Sequence, residues 1–327
     1  MTAPAIATER LTKVDPSGIG VTDLSLTVHR GEACALLGPT GAGKTTLLRL
    51  LLDLVHPTHG VARILGLDCQ AQGARARSLV GYAPASPRLP ARRTGEEILE
   101  HVARLRGQDD RDRMHDLAER FDLPLDRPSK ELTAGQRRCL LLVQAFMHRP
   151  EVLLLDEPTA GLGEGGVQVL GHLVAEAASE GRGILWASRS LQAVKGPCDR
   201  VALVAEGRLV GEASMAEVQR TALRTLRVTF ADEVELAALA GVPGVHDVRI
   251  DGRVLTCRIR GSPDAFLKAV SFFTVDALET REPGISDLFE VAATLDPRDG
   301  PASRIPPPTP GLHPPRPEPQ EDIWLDL

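Results

Sequence analysis

Residues Gly38–Thr46, GPTGAGKTT, fit the pattern G-x-x-x-x-G-K-[ST], which restricts the possible folds of the chain to a few. An apolar run over 32–37 precedes it and predicts a buried strand, and the leucine spacing over 46–54 predicts a helix. A strand, a glycine-rich loop and a helix in this order are the context in which the pattern forms a phosphate-binding P-loop. Glycines let the backbone wrap closely around phosphate, and the N–H groups at a helix N-terminus attract negative charge.

The P-loop pattern also predicts roles for individual side chains. Lys44 is expected to reach the β- and γ-phosphates of a nucleotide, and the Thr45 hydroxyl is expected to hold Mg²⁺. The alternative is a glycine-rich turn before a helix, which the flanking strand and helix disfavour. The residues predicted to cradle the phosphates are Gly38, Pro39, Thr40, Gly41, Ala42, Gly43, Lys44, Thr45 and Thr46.

Composition narrows the class of protein. The 327 residues suffice for about two domains, and a net charge of −6 gives no indication of a nucleic-acid surface. The five cysteines are scattered without a C-x-x-C pair, which argues against a disulfide framework or a cysteine metal site and favours a reducing cytoplasm. We predict no signal peptide, and because no run reaches the ~18 apolar residues of a membrane span, we expect any spanning to be done by another polypeptide.

The order of predicted elements indicates an α/β fold. Residues 1–10 are predicted to be a short tail, and 21–28 alternate apolar and polar residues as a half-exposed strand does. Strands and helices then alternate around the P-loop, which is typical of a mostly parallel sheet with helices on its faces. We therefore predict a P-loop NTPase domain over residues 1–225, with a mainly helical insert at about 95–148.

A second cluster of polar residues follows the apolar strand predicted over 151–155. Asp156 lies at the carboxyl end of that strand, where a metal ion beside a P-loop needs its second protein ligand. Glu157 is the next residue and is placed to polarise an attacking water. A solvated strand end is the alternative for these two carboxylates alone, and the P-loop favours the functional interpretation.

The C-terminal third has a different character. Residues 226–295 are predicted to form a small α+β domain, with a strand pair that turns at Asp251-Gly252 and helices over 233–239, 264–270 and 285–293. Ten prolines fall within residues 296–327, so this tail is predicted to be disordered. Its acidic and apolar end, EDIWLDL, is either a docking peptide or a solvated terminus, and the residues favour neither.

Three motifs in a fixed order resemble the ATP-binding subunit of an ABC transporter. After the P-loop comes Leu132–Gln136, LTAGQ, which is similar to the signature LSGGQ, and then the strand that ends in Asp156-Glu157-Pro158-Thr159. The resemblance covers roughly residues 8–225. A shorter stretch, EPGISDLF over 282–289, resembles the end of the accessory domain in drug-exporter ATPases of the daunorubicin-resistance type.

The resemblance implies a head-to-tail dimer, homo- or heteromeric, with ATP held between the P-loop of one subunit and the signature of the other. It implies that Thr133, Gly135 and Gln136 face the γ-phosphate bound by the partner. It further implies that a loop over 84–98 meets a separate transmembrane permease subunit. Under it, the P-loop holds ATP, Thr45 and Asp156 hold Mg²⁺, and Lys44 and Glu157 are catalytic.

Four positions depart from the family pattern. Ala85 stands where a glutamine is expected, Gly163 where an aspartate is expected, and Arg189 where a switch histidine is expected. No aromatic residue is present near 14–15 to stack on adenine. Loss of a transition-state donor typically costs about 100- to 1000-fold in rate, so weakened hydrolysis is expected. Arg189 can still bind the γ-phosphate through its charge, which would partly compensate.

The leading interpretation is the ATP-binding subunit of an ABC exporter, cytoplasmic and peripheral on the inner face of the membrane. The alternative is an ATP-binding regulatory protein of ABC type without a transport role. A neighbouring gene for about six apolar spans would favour the exporter. A soluble translation or DNA-repair factor is the third interpretation, and the absence of a second cassette and of long coiled coils from the sequence disfavours it.

Overall fold

A computed structural model of the chain describes residues 3–86, 88–107, 111–221, 223–234, 241–260 and 262–281. The strands are β1 (Ile6–Val14), β2 (Gly20–Val28), β3 (Ala33–Leu37), β4 (His59–Ile64), β5 (Leu67–Asp68), β6 (Val80–Ala83), β7 (Val152–Asp156), β8 (Gly183–Ser188), β9 (Arg200–Ala205), β10 (Arg208–Ser214), β11 (Leu223–Phe230), β12 (Val245–Asp251), β13 (Val254–Arg260) and β14 (Val275–Arg281). The helices are α1 (Lys44–Leu51), α2 (Gly73–Ser78), α3 (Gly95–Arg106), α4 (Arg111–Arg120), α5 (Ala134–Phe146), α6 (Glu164–Ser179), α7 (Leu191–Val194), α8 (Met215–Thr221) and α9 (Asp264–Val270).

A six-stranded sheet organises the first two thirds of the chain. Its strand order is β10-β9-β3-β8-β7-β6, and every neighbouring pair is parallel except β9 and β10. Strands β3, β7 and β8 are buried at every position, as their continuous apolar sequences require in a sheet covered on both faces. The predicted α/β fold with a mostly parallel sheet is confirmed.

Alternate side chains of this sheet belong to two separate hydrophobic cores. On β7, Leu153 and Leu155 pack with the helical side of the domain, which includes α3 to α8. Leu154 lies in the other core, with α1, α2 and the strands β1, β2 and β4. The sheet is therefore the middle layer of three, and its strand ends remain free to carry functional loops.

The prediction of a tail over residues 1–10 is wrong. Residues Ile6–Val14 form β1, which pairs in antiparallel fashion with β2 and β4 in a second sheet of order β2-β1-β4-β5. The register shifts on either side of Leu11, and Arg10 has a φ of 47°. These irregularities interrupt the alternation of side chains, so the sequence lacks the period of two that marks a strand.

The insert predicted at about 95–148 is helical in the described residues, and α3, α4 and α5 form most of it. Both α3 and α5 begin with a capping box. Thr94 and Glu97 exchange hydrogen bonds at the start of α3, and Thr133 and Gln136 do so at the start of α5. Each box satisfies two backbone N–H groups that a helix otherwise leaves without partners.

The C-terminal elements form a third sheet, of order β12-β13-β11-β14, and every pairing in it is antiparallel. The hairpin predicted at Asp251-Gly252 is confirmed, because Asp251 pairs with Val254. The helix predicted over 264–270 corresponds to α9. The helix predicted over 285–293, part of that over 233–239 and the proline-rich tail lie outside the described residues. The domain boundaries at 225 and 295 stay predictions.

Among the helices of the described ranges, none is both long and apolar enough to cross a membrane.

Candidate functional site

Three neighbouring parallel strands bring the sequence motifs to one edge of the six-stranded sheet. Leu37 at the end of β3 pairs with Ser188 at the end of β8, and Asp156 at the end of β7 pairs with Ala187 on β8. The carboxyl ends of parallel strands lie at the same edge, where α/β proteins bind their ligands. The P-loop, the two carboxylates and Arg189 therefore meet there.

The P-loop is shaped by glycines that other residues could not replace without movement. Gly43 caps the N-terminus of α1 with φ 96°, and a Cβ there would lie 2.1 Å from the carbonyl oxygen of Gly20. A Cβ on Gly38 would lie 2.3 Å from the carbonyl oxygen of Val204. Gly41 also has a positive φ, 83°, but faces open space. Backbone and helix N-terminus thus form a cradle that fits a phosphate group.

Lys44 turns its ammonium group into this cradle. Its Nζ donates hydrogen bonds to the carbonyl oxygens of Gly38 at 2.6 Å and Pro39 at 2.9 Å, and the residue is only 7% exposed. Burial lowers the pKa of Lys44, while the nearby charges of Glu157 and Asp156 raise it. A phosphate oxygen would take over contacts that the loop carbonyls now supply.

Thr45 and Asp156 meet as the metal prediction requires. The Thr45 hydroxyl donates a 2.8 Å hydrogen bond to Oδ2 of Asp156, and Asp156 is 1% exposed. Burial raises the pKa of Asp156, and the hydrogen bond from Thr45 lowers it. A desolvated carboxylate beside a hydroxyl is suited to a divalent cation, because the ion would compensate the lost hydration and both oxygens are hard ligands.

Glu157 follows directly and is bound to Arg189. The Arg189 Nε lies 3.2 Å from Glu157 Oε1, with side-chain exposures of 60% for Arg189 and 18% for Glu157. Glu157 adopts φ 46°, which is uncommon for a residue with a side chain, and its backbone N–H donates to the carbonyl of Ala187 at 2.9 Å. The backbone of the candidate base is thereby tied to β8, and the side chain to the residue that follows β8.

Comparison with known proteins now identifies the family. The family described as ABC transporter matches residues 21–160. The Bacillus subtilis protein described as uncharacterized ABC transporter ATP-binding protein YdbJ is 32% identical over 244 residues, 74% of this chain and 79% of that protein. Nod factor export ATP-binding protein I of Ralstonia nicotianae is 31% identical over 252 residues, 71% of this chain and 78% of the relative. The chain belongs to the family of ABC transporter ATP-binding proteins.

Solved structures agree with this assignment. The ATP-binding subunit of an ABC transporter matches with a TM-score of 0.62 and 26% identity, over 66% of this chain and 92% of that one. A dimeric bacterial ABC transporter cassette matches with a TM-score of 0.58 over 64% of this chain and 98% of that one. At 20% identity, the second likeness shows the fold alone. ABC ATPase domains bind ATP, generally with Mg²⁺, and the P-loop with its Thr45–Asp156 pair fits both.

The signature of this ABC ATP-binding protein forms the start of α5. Thr133 is the N-cap, and its hydroxyl accepts from the backbone N–H of Gln136 at 3.2 Å, while Gln136 Oε1 accepts from the N–H of Thr133 at 2.9 Å. A Cβ on Gly135 would lie 2.7 Å from the carbonyl oxygen of Gly161. These contacts are local to the segment and to the loop after β7, so the predicted role of Thr133, Gly135 and Gln136 toward a partner's nucleotide stays a prediction.

The positions that depart from the family pattern have different surroundings. Ala85 is partly buried, and its carbonyl accepts a hydrogen bond from Arg138. Gly163 is the N-cap of α6 and has no side chain to cap the helix, although a Cβ there would meet nothing within 4 Å. An aspartate at 163 would therefore fit the space. Nothing in the local packing explains the glycine.

Arg138 is the residue near the site that sequence reasoning missed. It is 4% exposed on α5, and its guanidinium donates to the carbonyls of Pro84, Ala85 and Ala160. The signal was a charged residue one helical turn before Leu142, on a face that the apolar spacing predicts to be buried. A buried arginine on an apolar face needs polar partners, and here they are the loops beside the candidate base.

Proposed function

We propose that this chain is the ATP-binding subunit of an ABC exporter, and that hydrolysis at its own site is weak. In this proposal, ATP binding, hydrolysis and dimerisation are coupled to transport by a separate membrane subunit, and the protein is peripheral on the cytoplasmic face. The observation that carries weak hydrolysis is the Arg189–Glu157 ion pair. Relatives named as export ATP-binding proteins support the direction of transport.

The proposed chemistry is transfer of the γ-phosphoryl group of ATP to water. Lys44 and the glycine loop hold the phosphates, and Thr45 and Asp156 would hold Mg²⁺, which neutralises charge on the β- and γ-phosphates when bound. Glu157 accepts a proton from water as the water oxygen bonds to the γ-phosphorus. The bond from that phosphorus to the bridging oxygen breaks, and ADP and inorganic phosphate leave.

The environment of Glu157 explains why this step would be slow. Oε1 of Glu157 accepts a hydrogen bond from Arg189, so the ion pair orients the carboxylate toward Arg189 and not toward an attacking water. Ala85 and Gly163 add no polar side chain that could orient the water. Arg189 is more than half exposed, so it could leave Glu157 and bind the γ-phosphate in a closed dimer.

Partners are proposed on the family's general behaviour. ABC ATP-binding subunits act with transmembrane components and dimerise. Thr133, Gly135 and Gln136 would face the γ-phosphate held by a second ATP-binding subunit, identical or different, and the loop over 84–98 would meet the membrane subunit. The motif EPGISDLF over 282–289 supports the drug-exporter type, and it lies outside the described residues. In a heterodimer, this signature could complete a more active site on the other subunit.

Nucleotide binding and steady-state ATP hydrolysis by the purified protein test the proposal together. Lys44→Ala should abolish binding, because the cradle loses the ammonium group of Lys44. Glu157→Gln should keep binding and remove whatever turnover the wild type has. The expected result is Lys44-dependent binding with slow or undetectable turnover. Fast turnover that both substitutions abolish would contradict weak hydrolysis and support an active homodimer. Absence of nucleotide binding would refute the proposal as a whole.

A further inference from the structure

Arg138 connects three separate segments that surround the nucleotide site. It belongs to α5, whose first turn carries the signature, and its Nε donates to the carbonyl of Ala160 at 3.3 Å. Its two terminal nitrogens donate to the carbonyls of Pro84 and Ala85, in the loop that follows β6. One side chain thus links the signature helix, the loop after Asp156-Glu157 and the loop after β6.

The bonding of this arginine is unusual for a buried cation. All its hydrogen bonds go to backbone carbonyls, and within the described part of the chain no carboxylate lies at ion-pair distance. Burial lowers the pKa of Arg138, and the charges of Asp156 and Glu157 at longer range raise it. A buried charge that loses one of its dipole partners leaves an unsatisfied donor in a low-dielectric site. The three segments therefore tend to move together.

Each linked segment has a different relation to the site. Ala160 lies three residues after Glu157, and the backbone N–H of Ala160 donates to the carbonyl of Glu157 at 3.1 Å. On the other side, the loop after β6 continues to Arg88, Arg92 and Arg93, which are exposed on the surface. Ala85 has only a methyl group as side chain, so its backbone carbonyl is the group that makes the connection.

We propose that Arg138 is a positioning residue that transmits the nucleotide state of the site to residues 84–86 and 88–93, which follow β6. Movement of Glu157 on nucleotide binding displaces Ala160, Arg138 follows the Ala160 carbonyl, and the Pro84 and Ala85 carbonyls follow Arg138. The inference rests on the proposed function in one respect, because it requires nucleotide to bind at the P-loop. It requires neither fast hydrolysis nor a membrane subunit.

Limited trypsin digestion measures how accessible this loop is to a protease, because Arg88, Arg92 and Arg93 are exposed cleavage sites. The rates of cleavage at these three residues would be measured on the full chain, with and without ATP and Mg²⁺, in the Glu157→Gln background to preserve the nucleotide. The matched variants are Arg138→Met, Arg138→Lys and Arg137→Met. Arg137 is the control, since it is the adjacent arginine and its guanidinium donates to the carbonyl of Leu132, within its own segment.

The expected result is that ATP changes the cleavage rate by roughly threefold or more in the background protein and in Arg137→Met. In Arg138→Met the two rates should become equal within error while the Kd for ATP stays within about threefold, because the loop no longer follows the site. Arg138→Lys should be intermediate, since an ammonium group keeps the charge but not the fork of donors.

Two outcomes would overturn the inference. Trypsin could cleave Arg138→Met faster than the background protein by the same factor with and without ATP, which is what a merely structural role predicts. The background protein could also bind ATP without any change in cleavage. If Arg138→Met fails to unfold cooperatively on heating, the variant is not folded and Arg138→Lys replaces it. The ratio of the cleavage rates with and without ATP in Arg138→Lys then tests the inference. Absence of Lys44-dependent ATP binding is a distinct result, because it removes the proposed function itself.

Discussion

The carboxyl ends of β7 and β8 lie side by side in the sheet, but they hold their polar side chains in different ways. At the end of β7, Asp156 is almost fully buried and bonded to Thr45, which belongs to another buried element. At the end of β8, the chain leaves the core after Ser188, and Arg189 is 60% exposed with Glu157 as its carboxylate partner. The first arrangement is set by the packing of the core, and the second by one ion pair at the surface.

The difference indicates which part of the site can vary without loss of the fold. A buried carboxylate that is misplaced costs stability, so the position of Asp156 is tied to the position of the strands. An exposed ion pair contributes at most about 1 kcal/mol to stability, so residue 189 can change with little effect on folding. Three predictions test this contrast, from the largest effect to the smallest.

The largest effect is expected for Asp156→Asn. The substitution removes the anionic protein ligand of the metal, and a bound metal stabilises the charge of the transition state by several kcal/mol. The rate of hydrolysis should therefore fall by roughly 100-fold or more. Without metal, the same variant should melt higher, by roughly 1–3 °C, since burial raises the pKa of Asp156 and thus disfavours its charged form. Phosphate release against Mg²⁺ concentration and calorimetry in a chelator measure the two effects. A lower metal-free melting temperature would refute the interpretation of Asp156.

An intermediate effect is expected for Arg189→His. The substitution removes the guanidinium from Glu157 and restores a histidine at the γ-phosphate side, so turnover should rise about tenfold, less than the ~100- to 1000-fold of a well-placed donor. Arg189→Lys is the control, because it keeps the positive charge and should keep turnover low. Single-turnover phosphate release with saturating ATP gives the comparison. Equal rates in Arg189→His and wild type would mean that the ion pair does not limit hydrolysis.

The third prediction is a matched pair of stability changes, one at each strand end, and it includes the smallest expected effect. Thr45→Val removes the donor to buried Asp156 and should cost about 1–3 kcal/mol in the free energy of unfolding at neutral pH. Arg189→Ala removes the exposed pair and should cost less than about 1 kcal/mol. Urea unfolding of the metal-free protein, with ATP absent, measures both. Equal costs would remove the contrast between the two strand ends.

The pH dependence of the Thr45→Val change sharpens the test. The Thr45 hydroxyl lowers the pKa of Asp156, so its loss raises a pKa that burial has already raised. A carboxyl group with a raised folded-state pKa favours folding when it is protonated, and that contribution is lost as the pH rises through the folded-state pKa. The cost of Thr45→Val should therefore shrink at acid pH. A cost that does not vary with pH would show that Asp156 is not the group affected.

Sequence reasoning succeeded where local pattern and tertiary environment agree. The strands at 33–37, 152–156 and 183–188 are continuous apolar runs, and a sheet covered on both faces buries them without any further condition. It failed for β1, because the bulges around Leu11 interrupt the alternation of buried and exposed side chains. Pairing with β2 and β4 stabilises this strand. No pattern of period two marks such a strand in advance.

The sequence by itself determined which polar residues meet at the edge of the sheet. The glycines of the P-loop, Lys44, Thr45, Asp156 and Glu157 follow buried strands, and parallel strands that start a helix or a loop must end at the same edge. The tertiary structure alone decided that Arg189 pairs with Glu157 and that Arg138 reaches the loops after β6 and β7. Side-chain contacts across separate elements depend on the relative placement of strands and helices, and sequence spacing along one element does not encode that placement.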